Sequence, residues 1–160
     1  MKKLLPFAAA GILVFIGGRA QAQETADQQV TFEVTAISEI SFTGSPSLTI
    51  NTANAGGAPD SKSTNATYAV TTNETNRTIT AELDSDMPTG VTLSVSLAAP
   101  AGASSAGAVQ LSLAPQAVVT GISSVNASGL NVTYTLSATA AAGVVASDSR
   151  IVTYTITAGA

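Results

Sequence analysis

The chain has 160 residues, ten acidic against six basic, and contains no His, no Cys and no Trp. Without His or Cys, Ser–His–Asp and Cys–His nucleophilic sites and His-based metal sites are excluded, and no disulfide can form. The few positive charges cannot make the basic patch that nucleic acid requires, and they disfavour tight binding to an anionic membrane.

Met1-Lys2-Lys3 is a short basic start, followed by an apolar run from Leu4 to Ile16 and then Gly17-Gly18. Ala20 and Ala22 are small residues at the two positions a signal peptidase reads. The pattern predicts a secretory signal peptide over 1–22, with cleavage before Gln23. The apolar run is shorter than the ~20 residues of a membrane span, so no span is expected after the signal is removed. Cleavage leaves 138 residues with three basic side chains, Lys62, Arg77 and Arg150, and all ten acidic ones, a balance of −7. That is one domain, long enough to close a core without staples. Residues 23–29 are expected to be a loose leader and 30–160 the domain.

From Val30 the apolar residues fall on even positions: Val30, Phe32, Val34, Ala36, Ile40 and Phe42. Alternation of this kind predicts a strand with one buried face over Val30–Phe42, with a bulge or bend near Ile37–Ser38. Gly44-Ser45-Pro46 is a turn, and Leu48 and Ile50 predict a short strand. Asn51–Thr64, with Gly56-Gly57 and Pro59-Asp60, reads as a surface loop. Tyr68 and Val70 mark a strand that Asn73–Asn76 connects to Ile79–Leu83 as a hairpin. Asp86–Gly90 predicts a type I turn. Val91–Leu97 is the clearest single strand.

Ala98–Gly107 is an Ala/Gly/Ser loop. Val109–Leu113 predicts another strand, and Ala117–Val125 fits either a short strand or a helical turn. Asn126–Gly129 predicts a turn into Leu130–Ala138. Thr139–Ser149 is a connection, and the last strand follows. Val132-Thr133-Tyr134-Thr135-Leu136-Ser137-Ala138 and Val152-Thr153-Tyr154-Thr155-Ile156-Thr157-Ala158 are near-copies. Each sets Val, Tyr and Ile or Leu on one face and Thr or Ser on the other. The sum is an all-β chain, an antiparallel β-sandwich of eight or nine short strands, immunoglobulin-like or pilin-like, with a barrel as the other closure.

Candidate chemistry is thin. Lys62, the only lysine after the leader, lies in a loop with no Ser–Lys motif around it. A carboxylate pair is available for glycoside hydrolysis, but such sites usually come with aromatic platforms. No enzymatic activity and no cofactor are expected. Glu82, Asp84 and Asp86 alternate near a strand end and could offer oxygen ligands to Ca²⁺; the plainer reading is a solvated acidic edge. Thr133, Thr135, Thr153, Thr155 and Thr157 could form an outward Thr array, the plainer reading being that Thr suits exposed strand faces. Asn65, Asn73, Asn76, Asn126 and Asn131 each head an Asn-x-Ser/Thr triplet and are expected at surface turns.

Alternating Thr/Val strands, an export signal, no Cys and the closing strand Val152–Ala158 resemble small secreted β-sandwich proteins of the bacterial cell surface. Pilin-like subunits and cell-wall-associated surface domains are similar in style, although the chain lacks the Trp or Cys of some of these groups and a sortase-type ending. The resemblance implies a non-catalytic structural or surface-assembly protein, periplasmic or extracellular. The partner would be a second copy in a homo-oligomer or filament formed by strand pairing. Val30–Phe42 then has two readings: the first strand of its own sandwich, or a strand donated to a neighbour. The alternative function is a carbohydrate-binding or adhesin-type module that contacts a cell-surface glycan or protein through Asn51–Thr64 and Ala98–Gly107.

Overall fold

The computed structural model describes residues 24–160, so the signal segment and its cleavage site at Ala20, Ala22 and Gln23 lie outside the described residues. Contacts divide the chain at Glu33, and Val34–Ala160 forms the folded unit.

Nine strands follow in chain order: β1 Ser38–Thr43, β2 Lys62–Thr72, β3 Arg77–Leu83, β4 Val91–Leu97, β5 Ser104–Ser105, β6 Val109–Gln110, β7 Gln116–Ile122, β8 Val125–Ala138 and β9 Val152–Ala158. One 3₁₀ turn spans Ala140–Ala142. The strands form two antiparallel sheets, β1-β2-β8-β4-β6 and β5-β7-β3-β9. The architecture is therefore an all-β antiparallel sandwich.

The core comes from the predicted alternation. Ile79, Ala81 and Leu83 of β3 face Tyr68, Val70, Val95, Leu97 and Val132 of the other sheet, and all are buried. The ambiguous 117–125 segment is strand up to Ile122, since β7 pairs with β3 and buries Val118, Val119 and Ile122; Ser123 and Ser124 then break it, and Val125 opens β8. Tyr68 is 1% exposed, and its hydroxyl donates to the Ala98 carbonyl at 2.5 Å. Burial pushes its pKa up to about 12.

Several local expectations are corrected. Strand structure begins at Ser38; Val30–Ile37 carries no regular structure and is exposed throughout. Leu48 and Ile50 form no strand but are half-buried. Val109–Leu113 contributes a strand of two residues, and Leu113 is exposed. Two residues of the Ala98–Gly107 loop form β5.

Asn73–Asn76 does not close a hairpin. β2 and β3 lie in different sheets, so this connection arches from one sheet to the other. Asn76 takes a φ of 49° there, which Asn tolerates better than most residues. The Pro88–Val91 turn carries Gly90 at its third position with φ 78°, closed by Val91 N–H on the Pro88 carbonyl at 2.9 Å. A positive φ at that position belongs to type II and not to type I. Asn126–Gly129 is no turn but part of β8. The register slips between Tyr68 and Val70, which pair with Leu130 and Ala127, and Gly129 sits at φ 66°. A bulge with a left-handed glycine absorbs the extra residue and keeps both ends of β8 on the sheet. The triplets at Asn65, Asn126 and Asn131 therefore fall within strands, and only Asn73 and Asn76 lie in a turn.

Candidate functional site

The two flanks of the sandwich differ. On one, the edge strands β5 and β6 are two residues long. Short edges offer little to a passing strand. On the other, the edges are β1, six residues, and β9, seven. Among the described residues β1 pairs only with β2 and β9 only with β3, so each keeps one unpaired side.

The two near-copies meet across this flank. Tyr134 belongs to β8 and Tyr154 to β9, in opposite sheets, and their hydroxyls are 2.8 Å apart. The Tyr154 ring stacks on Phe42 of β1 with centroids 3.9 Å apart, and Phe42 stacks in turn on Tyr68 at 5.5 Å. Burial, foremost, holds the Tyr154 hydroxyl well above the ordinary phenol range, and the contact with Tyr134 adds to the shift. Burial raises Tyr134 too, and the bond from Tyr154 partly offsets it. A neutral pair sharing a proton is favoured over a phenolate in such surroundings.

This aromatic ladder holds β1 and β9 together, yet the seam between them is only partly covered. Ile40 and Phe42 on β1 and Val152, Tyr154 and Ile156 on β9 are half-buried, whereas their counterparts on β3 are fully buried. The difference follows from position: β3 has a strand on each side and β9 has one.

A second feature opens at the end of the sandwich where β4 and β9 begin. There a cleft of about 810 Å³ lies between the inner face of β4 and β8, through Val91, Leu93, Tyr134 and Leu136, and the loops 46–53 and 142–150. Arg150 stands at its rim, bound by the Asp148 carboxylate at 2.6 Å and by the Asp86 and Ser149 carbonyls. The hydrogen bond from Arg150, foremost, holds the Asp148 carboxyl below its ordinary range. Of the two predicted contact loops, Asn51–Thr64 reaches this cleft, through Asn51, Thr52, Ala53 and Pro59, but the loop is shorter than expected: Lys62, Ser63 and Thr64 already pair with β8 as the start of β2. The Ala98–Gly107 loop follows the far end of β4, at the opposite end of the sheet.

Glu82, Asp84 and Asp86 are not brought together. Glu82 lies on β3, a strand with neighbours on both sides, and so is not an edge guard. Asp84 is committed to the backbone: its Oδ1 accepts from Ile151 N–H at 2.9 Å, and its own N–H donates to the Ile151 carbonyl. Asp86 contributes its carbonyl to Arg150. Among the described residues no three acidic side chains form a cluster fit for a metal ion. Lys62 donates to Thr52 Oγ1 at 3.1 Å.

The Thr residues divide between two surfaces. Thr153, Thr155 and Thr157 belong to β9, while Thr133 and Thr135 belong to β8 in the other sheet. There they extend a hydroxyl and amide ladder with β2 and the residue before it: Ser61–Ser137 at 2.9 Å, Ser63–Thr135 at 2.8 Å and Thr133 to Asn65 Oδ1 at 2.9 Å. Sequence reading missed the role of Asn73. Its side chain accepts from Ile37 N–H at 2.7 Å and donates to the Thr35 carbonyl at 2.8 Å, and its N–H reaches the Ile37 carbonyl at 3.2 Å. An Asn opening a connection between sheets was the available signal.

No protein-family model matches the chain, and no curated protein or solved structure matches it significantly.

Proposed function

We propose that this chain is a non-catalytic, exported structural subunit that assembles with copies of itself at the bacterial surface. The observation that carries this reading is the asymmetry of the flanks. One side ends in two-residue strands; the other presents two long unpaired edges over a half-covered apolar seam. An unpaired edge of that length is a template for another strand, and β9 lacks the charged or Pro residues that usually guard one. The residue inventory supports the absence of catalysis: there is no His or Cys, and Lys62, the lysine after the signal segment, donates to Thr52. The signal sequence supports export. Size-exclusion chromatography and negative-stain microscopy of the mature protein test the reading; discrete filaments or large oligomers are expected.

The cleft beside Arg150 favours a second reading, a binding module for a surface glycan or protein. Its lining mixes apolar side chains such as Leu48, Leu93 and Leu136 with polar ones such as Asn51, Thr52, Ser147 and Arg150, and convergent polar groups beside apolar surface are what a ligand cleft needs. Glycan-array binding by a protein that stays monomeric would favour that reading over assembly.

A further inference from the structure

We infer that Val30–Ala36 of one copy adds as a strand to the open edge of β9 in a second copy. The inference rests on the assembly reading and names its partner and its contact.

Three observations point to this pairing. The first is the segment itself. Val30, Phe32 and Val34 are 72%, 88% and 79% exposed. Three large apolar side chains left in water at two-residue spacing match the inward face of a strand that lacks its sheet. The second is the match in pattern. Val30–Ala36 has seven residues, as β9 has. Its outward positions are Thr31, Glu33 and Thr35, the residue types that β3, the partner β9 already has, turns outward at Thr78, Thr80 and Glu82. A strand of this composition repeats on the open side of β9 what β3 does on the closed side, and its Val and Phe side chains would cover the half-exposed seam. β9 carries no charge, so Glu33 meets no like charge there.

The third observation is direction, which selects a second copy over the chain's own β9. β1 enters its sheet at Ser38, opposite Thr72 at the end of β2. β9 finishes at the same end, with Ala158 opposite Arg77. To run along its own β9, the chain would have to reverse at Ile37. Asn73 holds Ile37 by both its N–H and its carbonyl, which fixes the chain at that point.

The absence of native Cys makes a direct test clean. Mature protein carrying Glu33→Cys is mixed with protein carrying Thr153→Cys or Thr155→Cys under mild oxidation. Directly opposed outward positions on paired strands bring Cβ atoms to about 4.5–5.5 Å, close to disulfide reach. A mixed dimer with one of the β9 variants, several-fold above that formed with Thr71→Cys on the other sheet, is expected. Phe32→Asp should abolish oligomers while leaving the melting temperature of the monomer unchanged, because Phe32 is exposed in the single copy. Equal cross-linking to Thr71→Cys, or oligomers that survive Phe32→Asp, would overturn strand donation and leave the assembly reading standing. Wild-type protein that stays monomeric would overturn both.

Discussion

Truncating Tyr154 to Ala removes three things at once: the ring stacked on Phe42, the cover over the seam, and the partner of the Tyr134 hydroxyl. A fully buried aromatic truncated to Ala costs about 3–5 kcal/mol. Tyr154 is half-buried, so the packing loss should be about half to two-thirds of that range. The orphaned Tyr134 hydroxyl, on a residue only 7% exposed, adds about 1–3 kcal/mol unless water reaches it. Together these give about 2.5–6 kcal/mol, a large share of a domain's usual 5–15 kcal/mol or so. Tyr154→Phe keeps the stack but orphans the same Tyr134 hydroxyl, so about 1–3 kcal/mol is expected. Thr155 points the other way and is exposed. Its backbone carbonyl is what accepts from Thr80, and Thr155→Ala preserves that group, so the cost should stay below about 1 kcal/mol. Urea melts of the three variants in monomeric background, followed by circular dichroism, give the comparison. A loss at Thr155→Ala equal to that at Tyr154→Ala would refute the facing assigned to β9.

Other consequences are equally open to test. The tyrosine pKa values give stability a high-pH limit: in the unfolded chain the phenols ionise near about 10, while the folded state keeps them protonated, Tyr68 up to about 12. Stability should thus be fully present below pH 10 and fall as pH rises towards 12, and Tyr68→Phe should reduce that slope in denaturant melts. Gly90→Ala should destabilise by about 1–3 kcal/mol, because φ is 78° and a Cβ would come within 2.7 Å of Thr139 Oγ1; a neutral result in a thermal melt would contradict the turn assignment. Asp84→Ala should cost about 1 kcal/mol through the Ile151 N–H, while calcium or EDTA should leave the melting temperature alone; a calcium-dependent rise lost in Asp84→Asn would contradict this. Mass spectrometry of the exported protein should find Gln23 at its start, and retention of Met1 would contradict export by cleavage.

Period-two alternation was enough to place Val91–Leu97 and Val152–Ala158, because strand side chains must sort between core and water and few other structures produce that pattern. The same signal misled at Val30–Phe42. Alternation reports what a segment could bury, not whether its own domain has an edge to receive it, and the paired sheet begins only at Ser38. The Asn73–Asn76 connection was misread because turn residues look alike whether a chain returns within a sheet or crosses to the other; the choice depends on β8 occupying the place beside β2. Gly129 looked like a turn for a related reason, since a glycine needed for a bulge and one needed for a reversal carry the same local signature. The Tyr134–Tyr154 contact could be half anticipated. The repeated Val-Thr-Tyr-Thr units placed both rings on inner faces, but their meeting depends on the two strands lying in opposite sheets. The end cleft had no sequence signal, because 46–53 and 142–150 are far apart in the chain.

The central claim is assembly through the open flank, and sedimentation velocity of the mature protein over a wide concentration range tests it most directly. Wild-type chain should sediment as species much larger than one 138-residue copy, growing with concentration, while Phe32→Asp stays at monomer mass. A single monomeric species for wild type at every concentration would contradict the account.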